Sequence, residues 1–144
     1  MFMRSHYVNI LLSAIAIIVA VLLQTLGILS VAGTNPNLVL IALTLFTYTA
    51  PFHLYALLTL FAAALTKTIP TFEPSTAALA LIGLCAFFLK SALPLQRILR
   101  VVIAITSTTI IFNVSINFEF IITSPLSLIP ELFYNNLIAI LFYN

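Results

Sequence analysis

The chain has 144 residues, of which 63% are hydrophobic and only 6% charged, with a mean hydropathy of +1.27. Soluble domains carry about 25% charged residues, so this set cannot cover a water-facing surface, and the length suits one domain. Five Lys/Arg against three Glu leave a net charge of +2, far too few for a nucleic-acid footprint.

After a short polar start with Arg4 and His6, residues 8–30 carry no charge. At about 1.5 Å per residue they can cross a hydrocarbon core of about 30 Å. A secretory signal peptide is the rival reading, but its apolar region is shorter, about 7–15 residues. Gln24 nears the end of this span, where it reaches either a neighbouring helix or the interface. Gly33, Asn35, Pro36 and Asn37 cluster into the first turn. Residues 38–50 and 52–66 are two short apolar segments divided at Pro51. They form either a tight helical hairpin or one long kinked helix, and the hairpin fits the charges better. Their threonines (Thr44, Thr47, Thr49, Thr59) suit interhelical hydrogen bonds or bonds back to their own carbonyls.

A loop with Lys67, Pro70, Glu73 and Pro74 precedes a fourth apolar segment over residues 76–93, with Ser75 as its N-cap. Here Ala77, Ala78, Ala80, Gly83 and Ala86 make a surface that a second helix can approach closely. Cys85, the single cysteine, excludes an internal disulfide and reads as a buried core thiol. Residues 98–113 are β-branched throughout, which in water suggests a strand. In lipid an isolated strand leaves its backbone unsatisfied, so a helix is expected. Residues 113–123, with Asn117 and Glu119, read as a loop or short re-entrant turn before a last helix at 126–143. The predicted fold is an all-α integral membrane protein. It is a single polytopic domain over residues 1–144, a small bundle of about six transmembrane helices with two short ones paired as a hairpin.

Lys/Arg near span ends set orientation. With six spans, Arg4, Lys90, Arg97 and Arg100 share one side and Lys67 stands alone on the other. This predicts both termini in the cytoplasm, in a multi-pass protein of the bacterial inner membrane.

Little in the sequence converges on catalysis. His6 and His53 lie in no ligand pattern, no serine stands in a nucleophile elbow and no glycine-rich phosphate loop exists. No enzyme activity, metal or cofactor is predicted. The Asn113-Val114-Ser115 sequon is a weak signal beside a span. The last helix holds the polar residues that matter most, because a polar face in hydrocarbon must point at protein or water. Glu131 and Asn135 are four apart and share a helix face. Glu131 has two readings: a buried functional carboxylate, or an acidic residue in the first helical turn, where Pro130 before it suits position N1. Asn135 and Asn136 are candidates for interhelical hydrogen bonds.

Two stretches carry a family resemblance. Asn35-Pro36-Asn37-Leu38-Val39-Leu40-Ile41, after a long first span, resembles the Pro-Asp-Leu-Leu-Leu-Ile opening of the second segment in the rod shape-determining MreD family. The run from Leu128 through Pro130, Glu131, Asn135 and Asn136 to Tyr143 resembles that family's last segment. Length and span pattern agree along nearly the whole chain. MreD-like chains are richer in glycine in the second hairpin and often carry an Asp near the position of Lys67, where this sequence reads Ala62-Ala63-Ala64-Leu65-Thr66-Lys67. The resemblance implies a non-enzymatic scaffold of the cell-elongation machinery that binds an MreC-like bitopic partner and, through it, the wall-synthesis complex. Glu131, Asn135, Asn136, Pro130, Pro36 and Gly83 are the expected helix–helix or partner contacts. The rival class is the substrate-binding membrane subunit of an energy-coupling-factor vitamin importer, also a small six-helix bundle.

Overall fold

The computed structural model describes residues 2–30, 33–67, 73–92 and 96–143, with residues 2–8, 91, 92, 97 and 120 described by their backbone alone. Among them are six helices and no strand: α1 (Phe2–Thr25), α2 (Leu38–Phe46), α3 (Phe52–Thr66), α4 (Pro74–Ala92), α5 (Arg97–Thr123) and α6 (Leu128–Tyr143). A 3-10 turn at Pro125–Ser127 joins the last two.

The bundle is built around α2. This helix has only nine residues, six of them buried (Leu38, Val39, Leu40, Ile41, Leu43, Thr44), and it packs on all five other helices. Around it α1 packs on α3, α3 on α4, α4 on α5 and α5 on α6. The circuit stops there, because the described parts of α1 and α6 do not pack on each other. The result is an open ring of five helices around a short central one.

The expected hairpin is present, since α2 and α3 are separate helices that pack on each other, but it is not a unit apart: α2 is the hub and α3 a member of the ring. The chain does break between them. Tyr48 N–H bonds to Leu45 O and Thr49 N–H to Phe46 O, tight turns that end α2 at Phe46 rather than residue 50. Pro51 then disfavours helix in the residue before it and sits extended ahead of α3.

Three other boundaries differ. The first helix stops at Thr25 rather than residue 30. Gly27 adopts a positive φ of 63°, its N–H bonds to Gln24 O, and Ile28 N–H reaches back to Leu23 O. That is the Schellman arrangement, in which a glycine takes the left-handed position that closes a helix. The fourth helix begins at Pro74, with Glu73 rather than Ser75 before it; Glu73 O accepts from Thr76 N–H and Ala77 N–H. Proline at the first helical position loses no bond. Residues 113–123 form no loop, because α5 continues to Thr123 through one non-helical residue, Asn117 (φ −130°, ψ 47°). Polar side chains there satisfy themselves within the helix: Asn113 Nδ2 donates to Thr109 O, Ser115 Oγ to Ile111 O and Thr123 Oγ1 to Glu119 O.

The threonines behave likewise. Thr44 Oγ1 donates to Leu40 O, Thr59 to Tyr55 O and Thr108 to Ala104 O, at 2.8–2.9 Å. Cys85, expected in the core, is exposed, since Leu79, Ile82 and Ala86 take the inner face of α4. Two helical segments, Ile98–Glu119 and Pro125–Tyr143, are long and apolar enough to cross a membrane. Asn9–Thr25, Phe52–Thr66 and Pro74–Lys90 are apolar but shorter.

Candidate functional site

The polar side chains of the last two helices meet along one seam. On α5, Thr106, Thr109 and Asn113 lie three and four residues apart and so share a face. Across from them on the antiparallel α6 stand Asn136, Asn135 and Glu131. Asn136 Nδ2 donates to Thr106 Oγ1 (3.0 Å), Asn135 Nδ2 to Thr109 Oγ1 (3.0 Å) and Asn113 Nδ2 to Glu131 Oε2 (3.1 Å). Asn113 is thereby tied within the bundle, a poor placement for a glycan acceptor. Glu131 lies in the first turn of α6, and Pro130 falls in that same turn, where backbone N–H groups have no intrahelical partner to lose.

Asn135 goes further than its neighbours. It is 0% exposed, and its Oδ1 accepts from the Asn37 backbone N–H at 3.0 Å. Asn37 is the N-cap of α2, and its own Oδ1 accepts from Leu40 N–H (3.1 Å). Gln24 of α1 supplies a third acceptor, Oε1, to Val39 N–H (3.2 Å). Leu38 N–H bonds to Pro36 O and Ile41 N–H to Asn37 O. Every backbone donor of this buried helix start, from Asn37 to Ile41, therefore has a partner within the protein. The two stretches that carry the family resemblance thus join at Asn37 and Asn135, residues 98 apart in sequence.

The opposite end of α2 is held by Lys90, whose Nζ donates to Thr47 O while lying 3.9 Å over the Phe87 ring. An ammonium here complements the negative end of the helix dipole. Gly83 marks a close approach of α4 to α3: a Cβ there would stand 2.6 Å from Thr59 Cγ2, and 3.6 Å from Leu43 Cδ1 of the hub. Tyr55 Oη donates to the Gly83 carbonyl. Arg100 lies within electrostatic reach of Tyr48, whose ring meets Tyr143 edge-on at 5.6 Å. Lys90 and Arg100 are thus brought to one end of the bundle, while the side chains of Arg4 and Arg97 lie outside the described residues.

Where the ring is open, a cavity of about 470 Å³ lies on α2 between α1 and α6. Its walls are apolar, among them Val19, Leu23, Ile41, Leu45 and Ile138, with Tyr48, Thr49 and Tyr143 at one end. Among the described residues no three His, Cys, Asp or Glu side chains come together. Of the contacts just described, Gln24 takes the first of its two expected places, a neighbouring helix, while the cap by Lys90 and the roles of Thr106 and Thr109 escape a reading of the sequence. Their only signal is the i, i+3, i+7 spacing of 106, 109 and 113. Comparison with protein-family models, curated proteins and solved structures finds no match.

Proposed function

We propose that this protein is a multi-pass membrane protein of the bacterial inner membrane, with both termini in the cytoplasm. In this reading it is a non-enzymatic scaffold of the cell-elongation machinery that binds an MreC-like bitopic partner and, through it, the wall-synthesis complex. Its inside-out surface supports the membrane reading. Asn37, Thr44, Thr47, Thr59, Thr108, Thr109 and Asn135 are buried, while large side chains such as Leu11, Leu22, Leu57, Leu81, Phe133 and Leu141 are exposed. Lipid rather than water suits that arrangement. Leu11, Ile15, Ile18 and Leu22 recur along one outer stripe of α1, the spacing at which a partner helix docks.

The observation that carries the scaffold reading is the Asn37–Asn135 junction. It ties together the two stretches that resemble MreD and uses their polar groups to hold the bundle. The cavity favours a second reading, the substrate-binding subunit of a vitamin importer, by its volume, which lies in the range of ligand sites of about 300–1,000 Å³. Its apolar walls suit a polar vitamin poorly. Co-purification from native membranes in a gentle detergent, with mass spectrometry of the retained proteins, separates the two. The expected result is an MreC-like coiled-coil protein with wall synthases. A coupling subunit with its ATPases would transfer the assignment to transport, and recovery of neither would remove the scaffold reading.

A further inference from the structure

The gap between α1 and α6 is lined as a site is lined, with an apolar length and one polar end. The apolar part needs a flexible hydrocarbon occupant. The groove opens between α1 and α6 onto what the membrane reading makes the lipid side, where acyl chains are the surrounding medium. A single alkyl chain suits both the volume and the walls. At the polar end the Tyr48 hydroxyl is enclosed with no hydrogen-bond partner among the described residues. A buried polar group in that state marks the place of a partner that the chain itself does not supply. The surrounding charge is positive, from Lys90 on the carbonyl of Thr47, one residue before Tyr48, and from Arg100 within electrostatic reach of the Tyr48 hydroxyl. Basic groups between membrane helices at the cytoplasmic side select anionic head groups.

We propose that this groove binds one anionic glycerophospholipid, with an acyl chain laid on α2 between α1 and α6 and the phosphate at the Tyr48–Arg100 end. The bound lipid closes the open ring, completing the contact that α1 and α6 do not make. Tyr48 donates its hydroxyl hydrogen to a phosphate oxygen. The inference rests on the membrane reading above but not on the scaffold assignment.

The test uses the full chain purified in a mild detergent, with dioleoyl phosphatidylglycerol and dioleoyl phosphatidylcholine as probes of identical acyl chains. Native mass spectrometry and thermal unfolding are the readouts. Phosphatidylglycerol is expected to be retained one to one and to raise the Tm, with phosphatidylcholine weaker by about tenfold in apparent affinity. Ala16 is exposed and lines the groove, so Ala16→Phe fills it from the α1 side and should abolish retention of both lipids. If that variant does not fold, Ala42→Val reads the same point from α2. Arg100→Gln should erase most of the preference between head groups, whereas Tyr48→Phe should weaken both lipids alike and leave the acyl site. Equal retention of both lipids, retention undiminished in the filled variants, or a polypeptide held in the groove instead would each overturn the proposal. Release of the protein from membranes by alkaline carbonate without detergent would instead sink the membrane reading, an outcome separate from any lipid result.

Discussion

Asn135 and Asn136 are adjacent amides on one helix, and their surroundings set them apart. Asn135 joins three elements, accepting from the N-cap residue of α2 and donating to Thr109 of α5, and no part of it is exposed. Replacing it with Leu strands the Asn37 N–H in the interior. Thr109 can still turn its hydroxyl to its own helix, as Thr108 does. Asn136 donates both to Thr106 and to Leu132 O one turn below, and its own Oδ1 is buried with no partner among the described residues. Its loss removes one bond between helices and one within α6, but also one unsatisfied acceptor. Asn135→Leu is therefore expected to lower stability by about 1–3 kcal/mol, the cost of a buried unsatisfied donor. Asn136→Leu should cost less than about 1 kcal/mol, the scale of interhelical hydrogen bonds in membrane proteins. Unfolding in mixed detergent–dodecyl sulfate micelles measures both, and equal losses would contradict the capping role of Asn135.

The nine residues of α2 make a helix about 14 Å long, too short to be stable alone. It exists because other helices complete it: Gln24 and Asn135 at its start, Lys90 at its end. Lys90→Met keeps an apolar stem over Phe87 but removes the ammonium from the Thr47 carbonyl. The expected loss is about 1–2 kcal/mol, the range of a partly buried cation at a helix C-terminus. Lys90→Arg, which can still donate, should recover most of it. Hydrogen exchange at the α2 amides checks this, and unchanged protection in Lys90→Met would refute the cap. This helix also shows what the sequence conceals. An all-apolar helix ordinarily announces burial, but in a chain where nearly every helix is apolar on all sides that signal is lost. The segment itself was legible from its apolar run between Asn37 and Pro51; its place at the centre was not. The Asn37–Asn135 bond spans 98 residues and has no local trace, whereas Gly27 is a local stop signal that the uncharged run around it masks. The polar letters of residues 113–123 resemble a loop only until their bonds to carbonyls four residues back are counted.

At the scale of the whole molecule, the ring sequence α1, α3, α4, α5, α6 constrains topology. Thr47 and Lys90 meet, as do Tyr48 and Tyr143, and Arg100 lies within electrostatic reach of Tyr48. The turn after α2, the end of α4, the start of α5 and the end of α6 therefore share one end of the bundle. Within the ring α4, α5 and α6 each then run opposite to the helix before, while α1 and α3 run the same way with α2 returning between them, the alternation along the chain that multi-pass insertion requires. In the proposed orientation this basic end faces the cytoplasm, as Lys/Arg placement demands. With α2 sheltered inside the ring, the difficult crossing that faces lipid is α3, since its 15 residues span about 22 Å against a core of about 30 Å. It crosses only if the bilayer thins locally or flanking residues reach the interface. With the exposed Cys85 replaced by serine, single cysteines at the exposed positions His53, Lys67, Gln96 and Glu119 decide this. A membrane-impermeant maleimide on intact spheroplasts should label positions 67 and 119, and label 53 and 96 only after the membrane is opened. Labelling of 53 and 67 from the same side would mean that α3 does not cross, and would reduce the protein to a bundle half inserted in its membrane.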